Sequence, residues 1–286
     1  MIGFLAEQIR AELSRQTERF IQEEKLKAAV THLLGRGKLY RPRLALAACE
    51  AVTGDDPMQW IPAVTSLELI HTFTLIHDDL PCMDDAELRR GVASVHVEFD
   101  EATAVLAGDA LCNLAFQVLT DGALHLDDQR VVKLVKCLSK ATQEVVAGQV
   151  KDLAAEGQSL SVQQVLGIYS QKTGALLEAC LGFGAILAHA SQFQESGLVS
   201  LGTPLGMLFQ VRDDILGAES HEGQTGKSHT DSVLQKSTLV SITGLEAAQA
   251  QAAKTEAALE AVVTKLNLRQ PEVLLRVMRE AYHREK

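Results

Sequence analysis

Apolar residues recur at three- and four-residue spacing along almost the whole chain, as in VVKLVKCLSKATQEVVAG (131–148) and VQQVLGIYSQKTGALLEACLGFGAILAHA (162–190). Nowhere do they settle into a sustained two-residue alternation, so the pattern admits helices and excludes an extended sheet. With 286 residues, 47% of them hydrophobic, the chain can bury a sizeable core. Breaks fall at 35–42, 54–57 and 81–91, at Gly122 and Gly157, and along a polar stretch from Gly217 to Gln235. None of them has the character of an interdomain linker. The expectation is an all-α protein, a single domain over 1–286, built as one large helical bundle. Stretches 103–119 and 172–190 are apolar on most faces, which places them inside the bundle or against a partner subunit. Pro204, in the apolar approach to residue 213, predicts a kink there.

Charge and cysteine usage limit the partners. A net charge of -10 leaves no broad basic face for nucleic acid, so a phosphate ligand would need local cations or metal ions. The five cysteines are scattered without a CxxC pair, which fits reduced thiols in a cytoplasm. The start MIGFLAEQIRAELSRQ lacks a signal-peptide pattern, and no apolar run reads as long enough to span a bilayer. A soluble cytoplasmic protein without stable membrane insertion is expected.

Against that background the run LIHDDLPCMDD (75–85) stands out. Adjacent carboxylates repel, and at a helix C-terminus they oppose the dipole. Pro81 disfavours helical geometry at Leu80, so the chain should turn after Asp79 and can bring Asp84 back beside Asp78. Carboxylates on one rim suit Mg²⁺, which typically takes one or two of them plus substrate phosphate and water. Arg89 and Arg90 follow, as donors suited to phosphate. A second acid pair, Asp213 and Asp214, closes the apolar run LGMLFQVRDDILG, with Gln210 one turn earlier on the same face. If the two helices pack side by side, the pairs face each other across a cavity and hold divalent ions between them. Taken singly, each pair also reads as a solvated helix end, and His71 and His77 as packed or capping residues. Lys38, Arg41 and Arg43 in GRGKLYRPRL form either an ordinary basic turn or a shaped phosphate loop.

These residues, in order, resemble the trans-prenyl diphosphate synthases of the bacterial and plastid type. The likeness is carried by GRGKLYRP (35–42), IHTFTLIHDDLPCMDDAELRRG (70–91), AGDAL (107–111), GQVKD (148–152), KTGALLEA (172–179), FQVRDDILG (209–217), TGKSHTD (225–231) and KST (236–238). It implies a helical bundle around a central cavity, a homodimer, and Mg²⁺ as cofactor, three ions per active site. Asp78, Asp79 and Asp84 would form the first metal motif, and Asp213 and Asp214 the second. Isopentenyl diphosphate would be held by Lys38, Arg41, His71 and Arg90, and an allylic diphosphate by Arg89, Lys172, Thr173, Gln210 and Lys227. Gln149 and Asp152 would line the cavity, with Lys236 near a mobile segment. The chemistry expected is ionisation of the allylic diphosphate and attack by isopentenyl diphosphate. Asp78, Asp84, Asp213, Lys172 and Gln210 would be at its centre. Phe73 and Thr74, five and four residues before Asp78, occupy the positions that set product length in this family. An aromatic ring there implies a short product, C15 farnesyl diphosphate, with C20 geranylgeranyl diphosphate as the alternative.

Two positions depart from the family pattern. Gly217 stands where the second motif usually ends in a third aspartate, and Leu39 where the basic loop usually carries an arginine. They leave open a catalytically weak regulatory subunit of a heteromeric synthase. The loop GRGKLYRP argues against a terpene cyclase on the same scaffold. The polar stretch GAESHEGQTGKSHTD (217–231) is expected to act as a mobile lid.

Overall fold

Several helix starts fall where the sequence supplies a side-chain acceptor. In the computed structural model, which describes residues 2–222 and 237–282, Asp100 caps the helix that follows it by accepting from the Thr103 amide at 2.7 Å, and Asp127 accepts from that of Arg130 at 2.9 Å. Ser161 with Gln164, and Ser191 with Gln194, close reciprocal capping boxes. The first helices are α1 (Ile2–Phe20), α2 (Glu24–Leu33), α3 (Tyr40–Thr53) and α4 (Ile61–Asp78), and after a short hairpin come α5 (Val95–Glu98), α6 (Glu101–Leu119) and α7 (Asp128–Ala154). Next are α8 (Val162–Tyr169), a π-helical turn (Ser170–Gly174), α9 (Ala175–Leu187), α10 (Gln192–Ser200) and α11 (Gly202–Glu222). The last three are α12 (Leu239–Thr243), α13 (Leu245–Lys265) and α14 (Pro271–Tyr282).

The centre of the array is α9, where every residue except Glu178 is buried. It packs against α3, α7, α10 and α11, while α4 lies along α6 and also touches α3, α1 and α9. Peripheral helices bury one stripe only. In α14 that stripe is Leu274, Val277, Met278, Ala281 and Tyr282, at helical spacing.

Several local expectations are corrected. The hairpin β1 (Leu88–Arg89) and β2 (Val92–Ala93) adds two short antiparallel strands to an otherwise helical protein. Pro204 does not kink a helix interior: it sits in the first turn of α11, where its missing N–H costs nothing. The helix also runs through Gly217 to Glu222 instead of ending there. Finally, α6 is long and apolar enough to cross a membrane, against the sequence expectation, but half of it is buried against its neighbours as in a core helix. The remainder of the proposed lid, and with it Lys227 and Lys236, lies outside the described residues.

Candidate active site

At the end of α4 the chain turns as Pro81 requires. The amide of Asp84 donates to the carbonyl of Asp78 at 2.9 Å, and that of Ala86 to Asp79 at 3.2 Å, so residue 84 is returned to the helix end it left. The hairpin then reverses in two residues. Arg90 (φ 53°) and Gly91 (φ 78°) are both left-handed, as the tight turn that matches strand twist demands. This reversal sends Arg89 and Arg90 back toward α4. Arg89 Nε donates to Asp79 Oδ1 at 2.8 Å, and Arg90 Nη2 to Glu68 Oε1 at 3.0 Å.

The basic loop before α3 is shaped by three left-handed residues, Gly35 (φ 75°), Gly37 (φ 92°) and Leu39 (φ 49°). Its carbonyls turn to one guanidinium: Arg10 Nε donates to Gly35 at 3.0 Å and its Nη2 to Gly37 at 3.1 Å. Leu39 is buried, while Lys38 and Arg41 face a cavity of about 700 Å³.

That cavity is lined by residues from α3, α4, α7, α11, the hairpin and the π-helical turn. The lining combines two chemistries. Lys38, Arg41, Arg89, Arg90 and Lys172 supply five cations against three carboxylates, Glu68, Asp78 and Asp84, so the site is locally positive within an acidic protein. Phe73, Leu75, Val145, Val146, Val150 and Leu153 supply apolar wall. His71, Thr74, Gln149, Thr173 and Gln210 also face it. The π-helical turn carries Lys172 and Thr173, and α7 approaches it through Gly148, where a Cβ would lie 2.4 Å from the Lys172 amide nitrogen. Lys172 Nζ donates to Asp152 Oδ2 at 2.7 Å, and Thr173 Oγ1 to Gln210 Oε1 at 3.1 Å.

The electrostatics follow from burial. Desolvation pushes the Asp78 carboxyl up to about 6, with Lys172 pulling it down and Asp84 pushing it up. Desolvation drives His71 well below the ordinary histidine value, reinforced by Arg41, Arg90 and Arg89, so its ring is neutral at physiological pH. Arg41 Nε and Arg90 Nη1 are buried and find no hydrogen-bond partner among the described residues. Neither do the two amide atoms of Gln149. Buried donors of this kind mark a place for an anion.

Not every expected residue reaches the cavity. Asp79 is wholly buried against Arg89, which makes it a brace for the hairpin in this structure. Asp152 stands behind Lys172. Asp213 and Asp214, one turn beyond Gln210 on α11, are half-buried outside the lining. Asp214 Oδ2 accepts from the Tyr169 hydroxyl at 2.7 Å and from the Leu239 amide at 3.2 Å. Among the described residues no three His, Cys, Asp or Glu side chains gather closely enough to form a metal cage. The donors fit Mg²⁺ nonetheless: two oxygen ligands, Asp78 and Asp84, share a cavity with anion-binding cations, and this ion completes its shell with water and phosphate.

The sequence did not point to Arg10, Glu68 or Tyr169. Only Glu68 left a signal, as a lone acid in the apolar helical run IPAVTSLELIHTF, where a buried charge needs a partner.

Comparison with known proteins finds close likenesses over most of the chain. The polyprenyl synthetase family model matches residues 23–270. The farnesyl diphosphate synthase of Geobacillus stearothermophilus is 40% identical over 235 residues, covering 78% of this chain and 77% of that one. The chloroplastic geranylgeranyl pyrophosphate synthase 11 of Arabidopsis thaliana is 42% identical over 229 residues, covering 78% and 64%. The crystal structure of a geranyltransferase from Helicobacter pylori, complexed with magnesium and isoprenyl diphosphate, superposes with a TM-score of 0.80 at 28% identity, covering 98% of this chain and 95% of that one.

Proposed function

Because the chain belongs to the polyprenyl synthetase family and is a short-chain prenyl diphosphate synthase, we propose that its cavity joins isopentenyl diphosphate to an allylic diphosphate and releases C15 farnesyl diphosphate. One observation carries this reading: five cations, two of them with buried nitrogens that have no hydrogen-bond partner among the described residues, share a cavity with Asp78, Asp84 and a long apolar wall. Isopentenyl diphosphate is held by Lys38, Arg41, His71 and Arg90. The allylic diphosphate is held by Arg89, Lys172, Thr173 and Gln210, together with Lys227 outside the described residues.

Asp78 at the end of α4 and Asp84 in the turn after it would hold Mg²⁺ in the cavity. The family resemblance implies Asp213 and Asp214 of α11 as the second set of ligands, with three ions per site, although both lie outside the lining in this structure. Bound there, Mg²⁺ supplies neutralisation of the leaving diphosphate. Arg89 and Lys172 stabilise the same anion as the allylic C–O bond breaks. The apolar wall keeps water from the resulting carbocation. Lys38, Arg41 and Arg90 fix the second diphosphate so that its double bond attacks the cation, forming the new C–C bond. A proton then leaves the adjacent carbon, and the released diphosphate accepts it.

Phe73 faces the cavity above Asp78 and supports a C15 stop. Phe73→Ala is expected to lengthen the product toward C20 in a radiolabelled product assay, and an unchanged C15 product would refute its role. Val105 and Leu106 on α6 and Val132 on α7 are exposed apolar residues, which supports a homodimer, testable by light scattering. The five unpaired cysteines support a cytoplasmic protein.

A further inference from the structure

Phe73 stops chain growth only if its ring stays across the cavity, and a half-buried phenylalanine on a helix has more than one rotamer. Building on the chain-length reading of Phe73, we infer that His77 is a specificity-determining positioning residue that locks that ring in place. The two residues lie one turn apart on the same face of α4, and both face the cavity. Their rings meet edge to face, with centroids 5.3 Å apart and planes at 89°.

The imidazole is in turn fastened to the neighbouring helix. Its Nε2–H donates to the Val105 carbonyl of α6 at 3.0 Å, which sets both ring orientation and tautomer. It occupies a notch that only glycine allows: a Cβ on Gly108 would lie 2.1 Å from Nε2 and 2.4 Å from Cδ2. Thr74, the other position expected to set product length, turns its hydroxyl to the His71 carbonyl at 2.8 Å, so the aromatic ring is the obstruction. The stiffness of the stop therefore originates on α6 and reaches Phe73 through His77. This explains an otherwise unused histidine at the end of an apolar helix and the glycine in AGDAL.

The test compares Phe73→Ala, His77→Ala, Gly108→Ala and the double variant Phe73→Ala/His77→Ala. Each is incubated with Mg²⁺, geranyl diphosphate and labelled isopentenyl diphosphate, and product lengths are resolved. Losing one edge-to-face contact should raise the C20-to-C15 ratio about two- to tenfold in His77→Ala and in Gly108→Ala. The double variant should give products no longer than Phe73→Ala alone, because His77 acts through Phe73. His77→Gln, which keeps an N–H donor but loses the ring, serves if His77→Ala fails to fold, and should shift the ratio in the same direction. If Phe73→Ala lengthens the product while the His77 and Gly108 variants leave it at C15, the positioning role is overturned and the reading of Phe73 stands. Additive lengthening in the double variant also overturns it, since His77 would then act by its own volume. If Phe73→Ala itself leaves C15 unchanged, the chain-length reading fails first.

Discussion

Glu68 is 1% exposed and accepts from Arg90 at 3.0 Å, with Arg41 also close enough to act on it. Burial raises its carboxyl above the ordinary glutamate value, while Arg90 and then Arg41 pull it down. Removing one partner of a buried ion pair leaves an uncompensated charge and costs ~3–5 kcal/mol. Glu68→Gln keeps an oxygen for Arg90, so the low end, ~3 kcal/mol, applies. In a chain of this size each kcal/mol moves the melting point by about 2–4 °C, so Tm should fall by about 6–12 °C. The same change leaves two guanidinia facing the cavity without their counter-charge. Isopentenyl diphosphate should therefore raise the Tm of the variant more than that of the wild type. Thermal unfolding with and without isopentenyl diphosphate reads both effects. A Tm within about 2 °C of wild type, or a smaller ligand shift in the variant, would refute the reasoning and mean that Glu68 is already protonated and plays no part in ordering the basic cluster.

Further outcomes follow from the same geometry. Arg10 makes two charge-assisted bonds to the loop that presents Lys38. In Arg10→Ala, loss of ~1–2 kcal/mol of loop order should raise KM for isopentenyl diphosphate about 5- to 30-fold while KM for the allylic substrate stays put, and equal changes in both would count against the loop-clamp role. Asp78 binds its proton more tightly in the folded protein, at about 6 against an ordinary 3.8, so it lowers the stability of the metal-free protein as pH rises through that window. Mg²⁺ competes with that proton, so the concentration needed for half-maximal turnover should climb as pH falls below about 6 in wild type; a requirement flat from pH 5 to 8 contradicts this. Gly217 is exposed, and a Cβ there would meet nothing within 4 Å. Gly217→Asp should fold and lower the Mg²⁺ requirement, and a rise would show that a third carboxylate on α11 does not serve the metal.

Local pattern predicted what local forces decide. Pro81 and the double acid pair predict the turn that brings Asp84 back to Asp78, and the backbone bond between them is present. Helical periodicity predicts the all-α array, and the buried face of α14 follows it residue by residue. What stayed hidden depends on pairing between distant elements. Arg10 meets the basic loop across 25 positions of sequence, and Tyr169 meets Asp214 across 45. That second contact ties Asp214, which lies outside the cavity lining, to α8, and no spacing rule within LGMLFQVRDDILG could reveal it. The hairpin was missed for another reason: four paired residues are too few to show an alternating pattern, although Arg90–Gly91 is a turn signal in itself. The helix through Gly217 shows the converse, since one glycine only weakens a helix that packing already supports.

The central claim is that this cavity makes a new carbon–carbon bond between two prenyl diphosphates despite Gly217 and Leu39. Its most direct test is to incubate the purified protein with Mg²⁺, isopentenyl diphosphate and either dimethylallyl or geranyl diphosphate, measuring diphosphate release and product length together. Mg²⁺-dependent release with C15 as the main product is expected. No release with either primer would contradict the account and leave the chain as a subunit that binds diphosphates without condensing them.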